Sequence, residues 1–397
     1  MGRLRKRALA LLVGSVIAFT GGFAARKLLF PPESGSVRLE VLARDQEPGM
    51  PRRPPEAEGF EVKPDPLDPR EWRYFLNERQ AARFYPPGDD GRQVYDPWVY
   101  VRDVGNLELR LPWKEHPRGE FVWRSNSLGC REDHELATPP AERRVLVAGD
   151  SHACGVCDDA ESFANLLEAR LAADGRTTEV LNAALGGYTL QNYFGTLLRL
   201  REFQPRVFVV TVFGGNDFHE LLPLHLRFSG QPWRQLTAEE ARRRDAALAA
   251  APDAMGQGFA TLDFFRVWPE ARNLARRGAR ELFTEMQVTA RARGVELVVA
   301  YLPSPFELSD YADDERVVRV REILELGDTD TRMLRDLGNG LLADLAAIGV
   351  RAVDLRAILA REPSPPFWKG DYHLDLRGHA LVAEALEAPV RALLEQR

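Results

Sequence analysis

The sequence has few cysteines and no excess of basic residues. Three cysteines among 397 residues form at most one disulfide bridge, so a small fold held together by disulfides is excluded. The formal net charge of −6 leaves no broad basic surface of the kind that binds a phosphate backbone. We therefore expect no nucleic acid partner. The composition is otherwise that of a globular protein, 45% hydrophobic and 28% charged.

The N-terminus carries a predicted membrane segment. Basic residues at positions 3–7 precede an uncharged run at 8–25, which at about 1.5 Å per residue crosses a hydrocarbon layer of roughly 30 Å. The basic excess on the N-terminal side predicts a cytoplasmic N-terminus and a periplasmic or extracellular remainder. A cleaved signal peptide is the alternative, but the run is longer than such a peptide needs. We predict an uncleaved, single-pass signal anchor over residues 1–30.

Cys154 and Cys157 have the C-x-x-C spacing of redox dithiols and of half a zinc site. The other half of a zinc site is missing, because the third cysteine is Cys130 and no closely spaced histidine pair lies nearby. Asp158 and Asp159 oppose a reactive thiolate. We predict no metal and no cofactor. Outside the cytoplasm we expect a disulfide between Cys154 and Cys157, or from one of them to Cys130.

Composition divides the rest of the chain into segments. Residues 31–70 are rich in Pro, Glu, Arg and Asp, which predicts a linker without a packed core. Residues 71–142 contain short aromatic stretches broken by Pro and Gly, which predict extended segments packed on the main domain. Residues 143–397 alternate strands and helices, so we predict an α/β fold with a parallel sheet covered on both faces. The interval at about 219–278 shows no clear strand and is interpreted as an insertion.

Polar residues follow the predicted strands where parallel sheets bind ligands, beyond the carboxyl ends of the strands. A hydrolytic serine needs a general base, a carboxylate that orients the base, and donors for the oxyanion. Ser151 follows the first strand and is the predicted nucleophile, with His373 as its base and Asp371 as the orienting carboxylate. The backbone N–H groups of Ser151 and Gly187 and the Asn216 side-chain amide are the predicted oxyanion donors.

Four motifs, taken together, resemble the signature blocks of the SGNH/GDSL hydrolase family. They are GDS at 149–151, NAALGGYT at 182–189, GGND at 214–217 and DYHLDLRGH at 371–379. The resemblance covers residues 143–397 and implies a flavodoxin-like three-layer α/β/α fold with a sheet of about five strands. It also implies ester hydrolysis or acyl transfer by Ser151, with Gly187 and Asn216 as oxyanion donors. SNSLGCRE, ahead of the first strand, is similar to a lead-in found in membrane-anchored or secreted members.

One position departs from the family pattern. Most members carry Asp three residues before the catalytic His, but Gly370 stands there and Asp371 lies two residues before His373. This Asp-x-His spacing resembles the branch that includes alginate O-acetyltransferases. An O-acyltransferase is therefore an alternative to an esterase.

Each candidate also has a structural interpretation. Ser151 could cap a turn or helix, and Asn216 could close an Asx turn. His152 adjoins the serine, and because side chains of adjacent residues diverge, we expect it to line the pocket rather than act as the base. His379 begins the last helix, where a structural or solvent-facing role is expected.

The sequence predicts a membrane-anchored serine esterase that acts on an O-acyl, preferably O-acetyl, ester of a carbohydrate. The alternatives are an O-acyltransferase acting on a cell-envelope polysaccharide and a catalytically inactive binding or scaffold domain. A transferase with a single membrane span would need a multi-span acyl-donor partner. Aromatic residues before the catalytic segment are candidates for packing or for stacking on sugar rings. They are Trp98, Tyr100, Trp113, Phe121 and Trp123.

Overall fold

A computed structural model describes residues 73–86, 91–309 and 311–396 of the chain. The predicted membrane segment at residues 1–30 and the predicted linker at 31–70 lie outside these residues. Among the helices of the described ranges, none combines the length and the apolar composition that crossing a bilayer requires.

The described strands form two antiparallel pairs and one parallel sheet. The antiparallel pairs are β1 (Gln93–Asp96) with β2 (Tyr100–Asp103), and β3 (Glu108–Pro112) with β4 (Glu120–Arg124). The parallel strands are β5 (Arg143–Ala148), β6 (Thr178–Asn182), β7 (Val207–Phe213), β8 (Glu296–Leu302) and β9 (Arg351–Asp354). Their spatial order is β6-β5-β7-β8-β9, the flavodoxin-like order. The prediction of a parallel sheet of about five strands is confirmed.

The α-helices follow the strands in alternation. Within the described ranges they are α1 (Glu78–Ala81), α2 (Ser151–Cys154), α3 (Phe163–Leu171), α4 (Leu190–Arg199), α5 (Asp217–Glu220), α6 (Leu222–Ser229), α7 (Ala238–Ala250), α8 (Pro252–Ala254), α9 (Ala260–Val267), α10 (Ala271–Ala292), α11 (Pro305–Leu308), α12 (Glu315–Leu324), α13 (Asp328–Ala347), α14 (Arg356–Leu359) and α15 (Leu376–Leu394). A π-helical turn at Met255–Phe259 joins α8 to α9.

The parallel sheet is covered by two groups of helices. α3 packs against α15, and α15 also contacts β7 and β8. α10 packs against α4, α13 and β8. Because crossovers between parallel strands are right-handed, helices after successive strands lie on one face until the strand order reverses beside β5. Every residue of the central strand β7 is buried, as expected for a strand between two helical layers.

The segment before β5 shares the core of the sheet. Trp98, Phe121 and Trp123 belong to the same buried cluster as the valines of β5. Helix α4 docks this segment closely, because Gly195 faces the Trp98 carbonyl with no room for a Cβ. The Asn192 side chain on the same helix donates to the Val99 carbonyl at 2.8 Å.

The predicted insertion at 219–278 is helical in the structure. It contains α6, α7, α8, the π-helical turn, α9 and the first turns of α10. Three arginines converge on Asp263 of α9, whose side chain is buried. Arg244 contacts it at 3.2 Å, Arg266 at 3.4 Å and Arg243 at 3.9 Å. These three arginines therefore form ion pairs with one buried carboxylate. The pairs made by Arg243 and Arg244 hold α7 against α9.

Candidate active site

Ser151 lies at the start of α2, directly beyond β5. Asp150 caps this helix by accepting the His152 backbone N–H at 3.0 Å. Gly149 makes the turn possible, because a Cβ there would meet Ala153 and would lie 3.3 Å from the Thr211 Cβ. As the first residue of the helix, Ser151 has a backbone N–H without an intrahelical acceptor. The turn thus presents both the Ser151 hydroxyl and its N–H at the edge of the sheet.

The loop before α15 places His373 against this serine. His373 Nε2 lies 2.8 Å from Ser151 Oγ, and His373 Nδ1 lies 2.7 Å from Asp371 Oδ2. Nδ1–H donates to the carboxylate, so in the neutral ring Nε2 is free to accept the serine proton. The side chains of His373 and Asp371 are both buried. The structure therefore brings together the three residues that the sequence predicts as nucleophile, base and orienting carboxylate.

The Asp-x-His spacing works because the backbone turns sharply between the two residues. Tyr372 has a φ of 62°, in the left-handed region that few non-glycine residues adopt. Asp371 then reaches His373 twice, because its Oδ1 also accepts the His373 backbone N–H at 3.0 Å. The Tyr372 hydroxyl donates to Asp314 Oδ2 at 2.6 Å and the Arg316 guanidinium lies 4.7 Å over its ring, which hold this conformation.

The charges around His373 favour its protonated form. Burial lowers the pKa of this imidazole, but the nearby carboxylates of Asp371, Asp150 and Asp253 raise it more, so the pKa lies above its ordinary value. Burial raises the pKa of Asp150 and of Asp253 to about 6 in each case. A general base must be neutral before it accepts a proton. The acid limb of a plot of activity against pH should therefore follow the titration of His373.

The predicted oxyanion donors lie beyond β6 and β7. Gly187 has a φ of 82°, and a Cβ built on its neighbour Gly186 would lie 3.7 Å from the Ser151 Cβ. The chain after β6 therefore passes directly over the serine. Asn216 precedes α5 and is 8% exposed, but its side chain makes no capping hydrogen bond to that helix. The Asn216 Oδ1 accepts no hydrogen bond from the residues that the structure describes, so the Asx turn that is the alternative interpretation of this residue is not formed.

Asp217 is structural. Its carboxylate accepts the Phe213 backbone N–H at 2.8 Å and the Tyr193 hydroxyl at 2.9 Å, and it is fully buried. These contacts tie the end of β7 to α4 beneath Asn216.

Neither of the other two histidines near the site contacts the serine oxygen. His152 is fully buried, and its Nε2 lies 2.7 Å from Gln257 Oε1. His379 is also fully buried, and its Nδ1 accepts the Phe163 backbone N–H at 3.1 Å. Burial lowers the pKa of His379 to about 3, so this ring stays neutral. Of the two roles expected for His379, structural or solvent-facing, the structure shows the structural one.

The expected disulfide is wrong. All three cysteines lie in the described ranges, and Cys130, Cys154 and Cys157 are free, buried thiols. Cys154 ends α2, and its Sγ lies 3.4 Å from the Ala184 carbonyl. The thiol therefore points to the loop after β6 and not to Cys157. Burial raises the pKa of Cys157 to about 12, which makes a nucleophilic thiolate rare.

Two contacts at this site come from segments that the sequence does not single out. Glu115, in the loop between β3 and β4, accepts the backbone N–H groups of Lys369 at 2.8 Å and Gly370 at 2.5 Å. Gln257, in the insertion, lies 3.4 Å from His373 Nε2. Neither residue lies in a recognisable motif, and each is more than 100 positions from its contact in the catalytic loop. In the ranges that the structure describes, no cluster of His, Cys, Asp and Glu could hold a metal ion.

A parallel α/β sheet that carries a linked serine, histidine and aspartate beyond its carboxyl edge defines a serine hydrolase. The profile of the GDSL-like Lipase/Acylhydrolase family matches residues 147–381, more than half of the chain. The protein belongs to this family and is an enzyme of the hydrolase class. A comparison with curated proteins gave no match.

Solved structures of similar fold include three hydrolases. LAE5, an α/β hydrolase from the metagenome of Lake Arreo, is 14% identical and covers 64% of this chain and 98% of its own, with a TM-score of 0.37. The acetyl xylan esterase Axe2 from Geobacillus stearothermophilus is 11% identical, covers 63% and 95%, and has a TM-score of 0.38. A lipase/acylhydrolase from Enterococcus faecalis is 17% identical, covers 63% and 96%, and has a TM-score of 0.36.

Proposed function

We propose that the protein is a serine esterase that cleaves an O-acyl ester of a carbohydrate, with acetyl as the preferred acyl group. The observation that carries this proposal is the hydrogen-bonded relay from Ser151 Oγ to His373 at 2.8 Å and on to Asp371 at 2.7 Å. Nucleophile, base and orienting carboxylate lie within hydrogen-bond distance of one another in succession, which is the geometry that covalent acyl transfer needs.

The reaction follows from the positions of the protons. Ser151 Oγ attacks the ester carbonyl while His373 Nε2 takes the hydroxyl proton, and the carbonyl oxygen becomes an oxyanion. The N–H groups of Ser151 and Gly187 and the Asn216 amide stabilise that charge. His373 then gives the proton to the leaving alcohol, and an acyl-serine remains. Water attacks the acyl-serine while His373 Nε2 takes a proton from it. His373 then returns this proton to Ser151 Oγ as the bond from the acyl carbon to Oγ breaks, and the carboxylic acid is released.

Trp113 supports a carbohydrate substrate. Four of the five aromatic candidates are at most 5% exposed and pack in the core, namely Trp98, Tyr100, Phe121 and Trp123. Trp113 is only partly buried, and its Cζ2 lies 3.6 Å from the position of a Cβ on Gly370, beside the catalytic loop. A partly exposed indole beside the loop that carries Asp371 and His373 suits the apolar face of a sugar ring. The partly exposed carboxylate of Asp253 gives a hydrogen-bond acceptor for sugar hydroxyls near His373.

We also propose that the enzyme is anchored in a membrane by residues 8–25, with the catalytic domain on the periplasmic or extracellular side. The support is the length of this uncharged run and the basic residues that precede it. A glycan of the cell envelope would then be within reach of the site.

The test is the activity of the full-length protein with p-nitrophenyl acetate and its labelling by a fluorophosphonate. We expect hydrolysis and labelling by the wild-type protein, and Ser151→Ala should abolish labelling and lower kcat by roughly 10³-fold or more. Equal rates for the wild type and Ser151→Ala, with no labelling, would establish an inactive binding or scaffold domain.

Acetylated xylo-oligosaccharides then test the substrate class. We expect kcat/KM for this substrate to fall in Trp113→Ala, while hydrolysis of p-nitrophenyl acetate changes little. Trp233→Ala is the control, because Trp233 is also partly buried but packs on Phe264 and Trp268 in the insertion. Acetate transferred to an added glycan in place of acetate released to water would identify an acyltransferase.

A further inference from the structure

Gln257 lies in the turn of the insertion whose side chain comes within hydrogen-bond distance of the catalytic histidine. The π-helical turn Met255–Phe259 carries it, and the backbone kinks within this turn, where Gly258 leaves helical geometry with a φ of 159°. The turn is fixed from behind, because the Gln257 carbonyl accepts the Ser304 hydroxyl at 2.7 Å. A Cβ on Gly258 would lie 2.9 Å from both Phe306 and Ser304, so the turn packs against α11 without spare space.

Three contacts determine how the Gln257 amide is oriented. The Leu374 backbone N–H points at His152 Nδ1 at 3.4 Å, so Nδ1 is the acceptor and Nε2 carries the proton. His152 Nε2–H then donates to Gln257 Oε1 at 2.7 Å. The Gln257 Nε2 amide consequently faces His373 Nε2 at 3.4 Å. Burial and the neighbouring His373 hold the pKa of His152 well below its ordinary value, so this arrangement persists at neutral pH.

The other groups around His373 favour its cation. Carboxylates face it from its own loop (Asp371), from the turn before α2 (Asp150) and from α8 (Asp253). The His152 ring lies 4.7 Å from the His373 ring, and burial lowers the pKa of both His152 and His379, so these neighbours are neutral. Arg316 lowers the pKa of Asp253 and so favours its carboxylate form. Besides Ser151, Gln257 is the group that contacts Nε2 in the structure as described.

We propose that Gln257 is a positioning residue that holds His373 with Nε2 unprotonated and directed at Ser151. The lone pair of neutral Nε2 accepts the Ser151 hydroxyl at 2.8 Å and, as the longer arm of a three-centre contact, the amide hydrogen at 3.4 Å. Nε2 of the imidazolium carries its own proton and would face the positive end of the amide dipole. The amide therefore opposes the surrounding carboxylates and keeps a base available near neutral pH. After proton transfer it also directs the Nε2 proton away from itself, toward the leaving alcohol.

The insertion is thereby part of the catalytic machinery. A second contact from it supports the same conclusion, because the Thr261 hydroxyl of α9 donates to the Gly215 carbonyl, next to Asn216, at 2.5 Å. His219 Nδ1 lies 2.6 Å from this hydroxyl and completes the contact. One segment therefore braces both the base and an oxyanion donor. The kinetic consequences rest on the proposed esterase activity, but the effect on His373 does not.

Gln257→Glu tests the proposal. A carboxylate at this place accepts the His152 Nε2–H and also the Nε2–H of the His373 cation. We expect the acid limb of kcat/KM against pH to move up by about one pH unit or more, with kcat reduced at neutral pH and restored at higher pH. Gln257→Leu removes the donor and should lower kcat with KM nearly unchanged.

Gln287→Glu is the matched control. Gln287 is also a buried glutamine whose side chain makes a hydrogen bond, to the Gly349 carbonyl at 2.7 Å before β9, at the opposite end of the sheet. Gln287→Glu should lower the stability of the protein without moving the acid limb of kcat/KM against pH. Thermal melting curves of all variants establish that they fold. If Gln257→Glu does not fold, the kinetics of Gln257→Leu test the role of Gln257.

Histidine side-chain NMR of the full-length protein gives a readout without turnover. The His373 ring should titrate at higher pH in Gln257→Glu than in the wild type, even if no ester is hydrolysed. Inactive wild-type protein with this shift would refute the proposed function and keep the role of Gln257. Unchanged titration of His373 and an unchanged acid limb in Gln257→Glu, with Gln257→Leu kinetically like the wild type, would overturn the role of Gln257.

Discussion

The catalytic loop depends on the backbone conformation of one tyrosine. Tyr372 at a φ of 62° lets the two oxygens of Asp371 serve the backbone N–H and the Nδ1–H of His373 at once. One residue separates the carboxylate from the ring, and the left-handed conformation of that residue turns the loop tightly enough for both contacts. The backbone conformation of Tyr372, and not a longer side chain at position 371, brings the carboxylate to the His373 ring.

Asp371→Asn should change both the rate and its pH dependence. Loss of the carboxylate removes a group that raises the pKa of His373, so the acid limb of kcat/KM should move to lower pH. The amide also orients the ring less well, so kcat should fall by roughly two to four orders of magnitude. Rates measured across the pH range check this, with Asp313→Asn as an exposed control of the same charge change. A limb that stays in place or moves up would contradict the assignment of Asp371.

At the scale of elements, the hairpin β3–β4 holds the catalytic loop from outside the sheet. Glu115 accepts two consecutive backbone N–H groups, at Lys369 and Gly370, and its Oε1 lies 2.5 Å from the position of a Cβ on Gly370. A side chain at position 370 would displace this carboxylate. The glycine that departs from the family pattern therefore makes room for an anchor from another segment.

Glu115→Ala should loosen the loop that carries Asp371 and His373. The loss of two charge-assisted hydrogen bonds, at about 1–2 kcal/mol, should lower kcat about tenfold with a smaller effect on KM. Glu115→Gln keeps one acceptor and should be intermediate. Glu120→Ala, on the exposed end of the same hairpin, is the control. Equal kcat in Glu115→Ala and Glu120→Ala would show that the anchor has no influence on catalysis.

At the scale of the whole molecule, the segment before β5 and the catalytic segment form one core. Cys130 from the first and Cys154 from the second belong to the same buried cluster. Phe121 and Trp123 of the first segment belong to this cluster as well, so the two segments share one interior. The two should therefore unfold together.

Thiol labelling checks this cooperativity. We expect none of the three cysteines to react with Ellman's reagent in the native protein and all three to react after denaturation, because each is buried and unpaired. At low denaturant the three should react at one common rate, set by global unfolding. A reductant should leave the melting temperature unchanged. Faster labelling of Cys130 alone would show that the first segment opens independently.

Much of this architecture follows from local patterns. The apolar run of β7 and the helical spacing after β5 predict alternating strands and helices, and such alternation allows few arrangements besides a parallel sheet. Because the carboxyl ends of those strands meet at one edge, the positions of Ser151, Asn216 and His373 along the chain were enough to predict their proximity. The contact of Ser151 with His373 spans 222 positions and was still predictable.

The sequence by itself therefore determined the sheet, the edge where the site lies and the residues of the relay, since strand periodicity and motif order are properties of short segments. Only the tertiary structure decided which distant side chains support that relay. Gln257 and Glu115 are polar residues in segments without a motif, and their contacts arise from how an insertion and a hairpin pack. The tertiary structure also decided that the cysteines are unpaired, because the direction of each Sγ depends on the packing around α2.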